Sequence, residues 1–319
     1  MTGATMGNAT KIGFIGLGQM GAPMAERLLA EDVELHVHDP RQDAMAAFVA
    51  RGAIACATPK AVADAAEIVF ACLPNGKVSG AVATGPDGVA EGGALRIYAE
   101  MSTIGKRAVE DIAAALGARG IAMVDAPISG GPAGARAGTL AMLASGTPAA
   151  VAALRPWLGR IGRRVFVLGE RPGQAQIMKL VNNLIFAANM VSTLEGLSMG
   201  AKAGLDADTM LEMVNAGTGR SMVSEHIIEE VLSRRFHFGA AITVVDKDVT
   251  LGLAEAAALD VPMWGLEQAA RVWRFAASQG AGGKDITELA RFMEGWAGAE
   301  LRGADRTPQA AAKPASQAR

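Results

Sequence analysis

The sequence predicts a chain in two parts, an α/β half built on a parallel sheet followed by an all-α half. Three observations predict this. Short β-branched runs of about five residues alternate with helical stretches of ten or so as far as residue 170, the rhythm of a parallel sheet with crossover helices. Residues 174–204 then form one apolar-rich stretch without proline, with the Leu, Met, Ala, Asn and Glu composition of a long buried helix. From there to about residue 302, helical segments follow with almost no strand signal.

The elements follow in order. A strand over 11–15 ends at a glycine-rich run, Gly16 to Gly21, and a helix is expected over 22–30. A strand over 33–38 stops at Asp39-Pro40, and a helix follows over 42–51. Ile54 starts a short strand, 59–66 is helical, and an apolar strand over 68–73 is stopped by Pro74. Strands at 95–100 and 122–125 flank a helix over 106–116. A helix near 148–158 precedes a strand at 164–168. The boundary between the parts falls near 169–173, giving domains at 11–171 and 172–302. In the second part the breaks are 204–206, 217–219, 259–262 and 280–283, with Asp206 and Asp285 or Thr287 as N-caps. Residues 1–10 read as a frayed leader, and 303–319, without apolar periodicity, as a disordered tail.

The 319 residues are 50% hydrophobic and 19% charged, which excludes wholesale disorder. Thirty basic against 32 acidic residues leave a charge of −2, with no basic stripe. This argues against nucleic acid and anionic membrane as partners. Cys56 and Cys72 are too few for a disulfide framework and read as buried thiols. No run of 18 uninterrupted apolar residues suggests a membrane span, and the N-terminus lacks a secretory pattern. The expectation is a soluble cytoplasmic protein.

The first chemical motif is Gly16-Leu17-Gly18-Gln19-Met20-Gly21, placed between a strand and a helix. Gly16 permits the tight turn, Gly18 lets backbone approach a pyrophosphate, and Gly21 lets helix and strand pack closely. The helix N-terminus then faces the phosphates. Asp39 closes the second strand 23 positions after Gly16. An acid there accepts hydrogen bonds from a ribose 2′-OH and repels a 2′-phosphate. NAD is therefore favoured, with NADP the alternative, because Arg41 lies close enough to hold a 2′-phosphate. Leu73-Pro74 and Ser102-Thr103 end two further strands and are candidates to meet the cofactor, Thr103 at the nicotinamide ribose.

The second glycine-rich segment, Asp125 to Ala135, follows an apolar strand, where ligands of open α/β sheets bind. Ser129 with the Gly130 and Gly131 amides suits a carboxylate, although a mobile surface loop has the same composition. Lys179 and Asn183 are four apart in the long helix and share a face. A lysine on an apolar face is either snorkelling or desolvated toward a pKa that suits proton transfer. Asp246-Lys247-Asp248 is either a solvated helix start or a charge reaching into a cleft. His36, His38, His226 and His237 have no ligand spacing, so no metal is expected.

In this order the motifs resemble the β-hydroxyacid dehydrogenase family. The match lies in residues 13–21, 125–131, Gly173-Gln174 with Lys179 and Asn182-Asn183, and Lys247-Asp248, and it spans about 11–301. The resemblance implies a Rossmann-like dinucleotide-binding domain, a long interdomain helix and an all-α domain that builds a homodimer or homotetramer. It implies Lys179 as the proton-transfer residue and Asn183 as the positioner of the reacting hydroxyl. It also implies Ser129, Gly130 and Gly131 as holders of the substrate carboxylate, with Lys247 near substrate and nicotinamide. Many NADP-dependent relatives carry Asn-Arg-Thr where this chain has Asp39-Pro40-Arg41, which agrees with NAD. The resulting expectation is reversible oxidation of the primary hydroxyl of a short 3-hydroxy carboxylate to the aldehyde. The rivals are an NADPH-dependent semialdehyde, glyoxylate or imine reductase and a non-catalytic NAD-binding protein. No motif residue reports the C2 substituent, which separates 3-hydroxyisobutyrate from glycerate, threonate, serine or 2-(hydroxymethyl)glutarate.

Overall fold

The computed structural model describes residues 9–304. Residues 1–8 of the expected leader and 305–319 of the expected tail lie outside the described residues, while Thr10 already belongs to the first strand. Gly303 and Ala304 are docked: their amides donate to the Leu232 carbonyl at 3.0 Å and to Asp208 Oδ2 at 2.6 Å.

The strands are β1 (Thr10–Ile15), β2 (Val33–His38), β3 (Ile54–Ala55), β4 (Ile68–Ala71), β5 (Ile97–Glu100), β6 (Ala122–Asp125), β7 (Ile128–Ser129), β8 (Leu140–Ser145) and β9 (Gly162–Gly169). They form one sheet in the order β3-β2-β1-β4-β5-β6-β8-β7, with β9 beside β8. The first six are parallel; β8 runs antiparallel to β6 and β7. The helices of this half are α1 (Gly21–Glu26), α2 (Gln42–Val49), α3 (Pro59–Ala65), α4 (Gly76–Thr84), α5 (Lys106–Gly117), α6 (Gly131–Ala137) and α7 (Pro148–Ile161).

Strand side chains alternate between faces, and both faces are apolar because helices cover both. Phe14, Val37, Phe70 and Val124 pack on one side with Met24 of α1, Phe48 of α2 and Leu154 of α7. Ile15, Val69, Tyr98 and Met123 pack on the other with Val62 of α3 and Val109 and Leu116 of α5. Several expectations are corrected here. The helix expected over 22–30 stops at Glu26, where the next three amides switch to i→i−3 bonds. Helix α4, helix α6 and strand β8 were not anticipated. The segment after β6 is not a mobile loop: it holds β7 and α6.

The remaining helices are α8 (Gln174–Lys202), α9 (Ala207–Ala216), α10 (Met222–His226), α11 (Ile228–Leu232), α12 (Ile242–Ala258), α13 (Trp264–Ala276) and α14 (Leu289–Ala297). Asp206 caps α9 through Thr209 N–H, and Asp285 caps the short 3₁₀ turn at Ile286–Glu288. The chain divides into two compact units: residues to Asn183 with Thr250–Pro262, and Leu184–Val249 with Met263 onward. The second unit has its own core, in which Trp273 is fully buried and its indole N–H donates to the Ala187 carbonyl at 3.1 Å. Helix α8 is long and apolar enough, by length and composition alone, to cross a membrane, although its polar residues interrupt any run of 18 apolar ones.

Candidate active site

The carboxyl ends of β1, β2, β4, β5 and β6 lie along one edge of the sheet, and the strand order reverses between β1 and β4. Open α/β sheets bind ligands at that reversal. Gly16 turns there with φ +91°, and a Cβ on it would run into the Cys72 carbonyl. A Cβ on Gly21 would strike the Gly16 carbonyl, so only glycine lets α1 return this close to β1. At Gly18 a Cβ would meet nothing within 4 Å, so the backbone there is open to a ligand. Leu17, Gln19 and Met20 complete the loop between those glycines.

Asp39 lies at the end of β2 with its side chain 6% exposed. Its Oδ2 accepts the Leu17 amide at 2.8 Å, so the acid clasps the glycine loop. Its Oδ1 accepts the Arg41 amide and Nε, both at 2.9 Å, and Arg41 Nη2 reaches Oδ2 at 3.1 Å and the Leu17 carbonyl at 3.0 Å. Burial opposes ionisation of Asp39, but the Arg41 and Leu17 hydrogen bonds outweigh it and hold the carboxyl below its usual range. Arg41 is thus tied to the acid rather than presented alone.

Beyond β4, the Leu73 amide donates to Ser102 Oγ at 2.7 Å, which ties the Leu73-Pro74 and Ser102-Thr103 ends together. Behind them Glu100 is wholly buried. It accepts the Ser102 amide at 3.0 Å and the Tyr98 hydroxyl at 3.2 Å. Burial pushes its carboxyl up to about 7. An open cavity of about 470 Å³ lies between α3 and α4, lined by Pro59, Asn75, Lys77, Val78, Ala81 and Val82. Sequence reasoning missed this wall because two glycines interrupt the helical signal of α4. Asn75, whose Oδ1 accepts the Val78 amide at 3.0 Å as an N-cap, was the available clue.

At β6, Asp125 is wholly buried and faces the first turn of α8. It accepts the Gly173 and Gln176 amides at 3.1 and 2.9 Å and the Gln176 side chain at 2.7 Å. Burial raises its carboxyl to about 6 even so. Lys179 follows one turn later, half-buried, and Asn183 one turn after that. Ser129 meets this helix through a long hydrogen bond, 3.5 Å from Asn182 Nδ2, which also donates to Asn183 Oδ1 at 3.1 Å. The motif's spacing assigns Asn182 no role; its contact with Ser129 is visible only in the structure. Gly130 takes φ +132° and Gly131 opens α6.

The first unit therefore holds the glycine loop, Asp39, Leu73, Pro74, Thr103, Ser129, Gly130, Gly131, Lys179 and Asn183. Lys247 belongs to the second unit and lies inside α12 rather than at a helix start. It pairs with Asp248 at 2.6 Å, and Asp248 is buried. One proximity was not foreseen: Cys56 Sγ lies 3.8 Å from His36 Nδ1, and the Cys56 carbonyl 2.9 Å from His38 Nδ1. Burial pushes the Cys56 thiol up. Among the described residues no three His, Cys, Asp or Glu side chains are grouped to hold a metal.

Comparison with known proteins agrees with this geometry. Residues 11–169 match the family described as the NAD binding domain of 6-phosphogluconate dehydrogenase. Residues 173–293 match that described as the NAD-binding domain of NADP-dependent 3-hydroxyisobutyrate dehydrogenase. The chain is 35% identical to the 2-(hydroxymethyl)glutarate dehydrogenase of Eubacterium barkeri over 93% of its own length and 99% of the relative's. It is 33% identical to the NAD-dependent L-serine dehydrogenase of Pseudomonas aeruginosa, over 89% and 98%. The crystal structure of 3-hydroxyisobutyrate dehydrogenase from Salmonella typhimurium superposes with a TM-score of 0.80 at 27% identity, covering 89% of this chain and 99% of that one. A Streptomyces aurantiacus imine reductase, at 22% identity and a TM-score of 0.61, shares the fold alone. With a glycine loop at the strand reversal and a lysine-bearing helix fastened to the same sheet edge, the chain is an NAD(P)-dependent oxidoreductase and belongs to the β-hydroxyacid dehydrogenase family.

Proposed function

We propose that the chain reversibly oxidises the primary hydroxyl of a short 3-hydroxy carboxylate to the semialdehyde, with NAD used in preference to NADP. The observation that carries this reading is the meeting of Ser129 with the Lys179 helix through Asn182. It supports reading the Ser129 turn as the carboxylate holder and Lys179, on the same helix as Asn182, as the residue that moves a proton. The two relatives compared above are named for 2-(hydroxymethyl)glutarate and L-serine. Both compounds contain a primary hydroxyl on the carbon next to the one bearing the carboxylate, and we take that fragment as the substrate class.

The glycine loop fits the pyrophosphate, because Gly18 is open and the turn at Gly16 aims backbone toward it. The apolar wall of Val78 and Val82 suits the adenosine end. Leu73, Pro74 and Thr103 would hold the nicotinamide end, and the group when bound would supply hydride acceptance from the carbinol carbon. In this reading Ser129 and the Gly130 and Gly131 amides hold the carboxylate, and Asn183 holds the hydroxyl. Lys179 Nζ takes the hydroxyl proton in oxidation and returns it in reduction. Lys247 is carried in this reading as a substrate- and cofactor-binding residue on the resemblance alone. The same reading assigns 11–171 to the cofactor and 172–302 to substrate and assembly as a homodimer or homotetramer, and it places the enzyme in the cytoplasm.

The test follows absorbance at 340 nm with NAD and, separately, NADP across 3-hydroxyisobutyrate, L-serine, glycerate, threonate and 2-(hydroxymethyl)glutarate. NADH formation with one acid is expected. Lys179→Ala should abolish it while NADH affinity stays within about threefold. Full turnover in that variant would overturn the role of Lys179. A rate confined to NADPH-driven reduction of an imine would overturn the substrate class.

A further inference from the structure

Gln176 lies one turn before Lys179 on α8 and is wholly buried, and both ends of its side-chain amide are used. Oε1 accepts the Ile104 and Gly105 amides at 2.9 and 3.1 Å. Nε2 donates to the Ser102 carbonyl at 3.0 Å and to Asp125 Oδ1 at 2.7 Å. The first amides of any helix lack partners within it. Here the Gln176 amide goes to Asp125 Oδ2 at 2.9 Å and the Ala175 amide to Ser145 Oγ at 2.9 Å. The start of α8 is therefore bonded to the ends of β5, β6 and β8 and to the turn after Thr103.

Apolar packing could hold a helix against a sheet equally firmly, but it is non-directional. Four hydrogen bonds to one planar amide fix the helix in rotation and in height. Lys179, three residues on, lies on the neighbouring part of the same face. We propose that Gln176, held by Asp125, is a positioning residue of the reaction, setting the register of α8 so that Lys179 Nζ meets the substrate hydroxyl. This rests on the reading of Lys179 as the proton-transfer residue. Gln176 itself bonds strand ends and a turn, and its effect reaches the reaction only through Lys179.

Two variants test it, each assayed well below its melting temperature with NADH affinity measured by fluorescence titration. Gln176→Leu keeps the volume and removes the bonds. A displacement near 1 Å costs about a hundredfold in rate, so kcat should fall 10- to 100-fold while the NADH Kd and the substrate KM stay within about threefold. Gln176→Glu should lose as much at pH 8, because an ionised carboxylate cannot donate to Asp125 or to the Ser102 carbonyl. As the pH is lowered toward 5.5 its kcat should recover in part relative to wild type, since a protonated carboxyl accepts the Ile104 and Gly105 amides and donates to Asp125 but has no second hydrogen for the Ser102 carbonyl. The ionisable groups nearby are Asp125 on β6, Glu100 behind Ser102, and Glu255 on α12 beyond Gly105. Asp125 and Glu100 titrate in wild type as well, so the ratio of the two profiles reports position 176 together with its coupling to Asp125. If Gln176→Leu fails to fold, the Gln176→Glu profile decides alone. Unchanged kcat in Gln176→Leu, a tenfold loss of NADH affinity, or a Gln176→Glu profile parallel to wild type would each overturn the proposal. Full turnover in Lys179→Ala would remove the underlying reading instead, and that single variant tells the two failures apart.

Discussion

Single side chains along the carboxyl edge carry more than one task, and their substitutions should show both. Asp39 clasps Leu17 and restrains Arg41. Asp39→Ala should raise KM for NAD more than for NADP, because the acceptor for a ribose hydroxyl is lost and the Arg41 charge is released toward a 2′-phosphate. Steady-state KM values for the two cofactors check this, and an unchanged ratio would remove the basis for the NAD preference. Glu100 gives a pH signature. Burial lifts its carboxyl from an ordinary 4.5 to about 7. Between those values the folded state holds a proton that the unfolded state has released, so stability falls as pH rises through the window and levels off above it. The full window corresponds to about 3 kcal/mol, at 1.36 kcal/mol per pKa unit. Glu100→Gln should flatten most of that slope, read as melting temperature against pH from 4.5 to 8. An unchanged slope would mean that Glu100 does not titrate there.

At the scale of elements, the start of α5 depends on a distant acid. Gly105 at φ +86° offers no side-chain cap, and Glu255 Oε1 accepts the Lys106 amide at 2.8 Å. Glu255→Ala should cost about 1 kcal/mol, the ordinary worth of an N-cap, and lower the melting temperature by about 2–4 °C. Such a cap cannot be read locally, since 149 positions separate the partners. The same distinction governs what the sequence showed in general. Strands β1, β2 and β6 and helices α5, α7 and α8 were legible because their apolar runs end at glycine, proline or a capping residue. Helix α1 was overextended because Arg27 and Leu28 suit a helix as well as the turn they form. Helix α4 was lost because Gly76 and Gly80 dilute it. At the site, the glycine loop, Asp39 and Lys179 were legible as short spacings. Gln176 and Glu100 were not: each matters through partners on other elements, and nothing in their sequence neighbours marks them. Asn182 was passed over for Asn183, because its contact with Ser129 spans 53 positions.

For the molecule as a whole, cofactor binding should act on the unit that contains the glycine loop. NAD at a hundred times its Kd should add about 2.7 kcal/mol to the unfolding free energy of that unit. Hydrogen exchange should slow in peptides covering β1, β2, β4 and β5. Trp157 lies in the first unit, whereas Trp264, Trp273 and Trp296 lie in the second. Melting Trp157→Phe with and without NAD by tryptophan fluorescence therefore reads the second unit. A shift of that transition equal to the shift in exchange would show that the units melt together. The Asp39 clasp also bears on how such a protein can change over generations. In the proposed reading the residue that selects the cofactor also fastens the loop proposed to hold its phosphates, so a lineage moving toward the phosphorylated cofactor by replacing Asp39 should first loosen its grip on either one. The open route runs through prior changes that secure Leu17 by other means, and descendants that have switched should carry them.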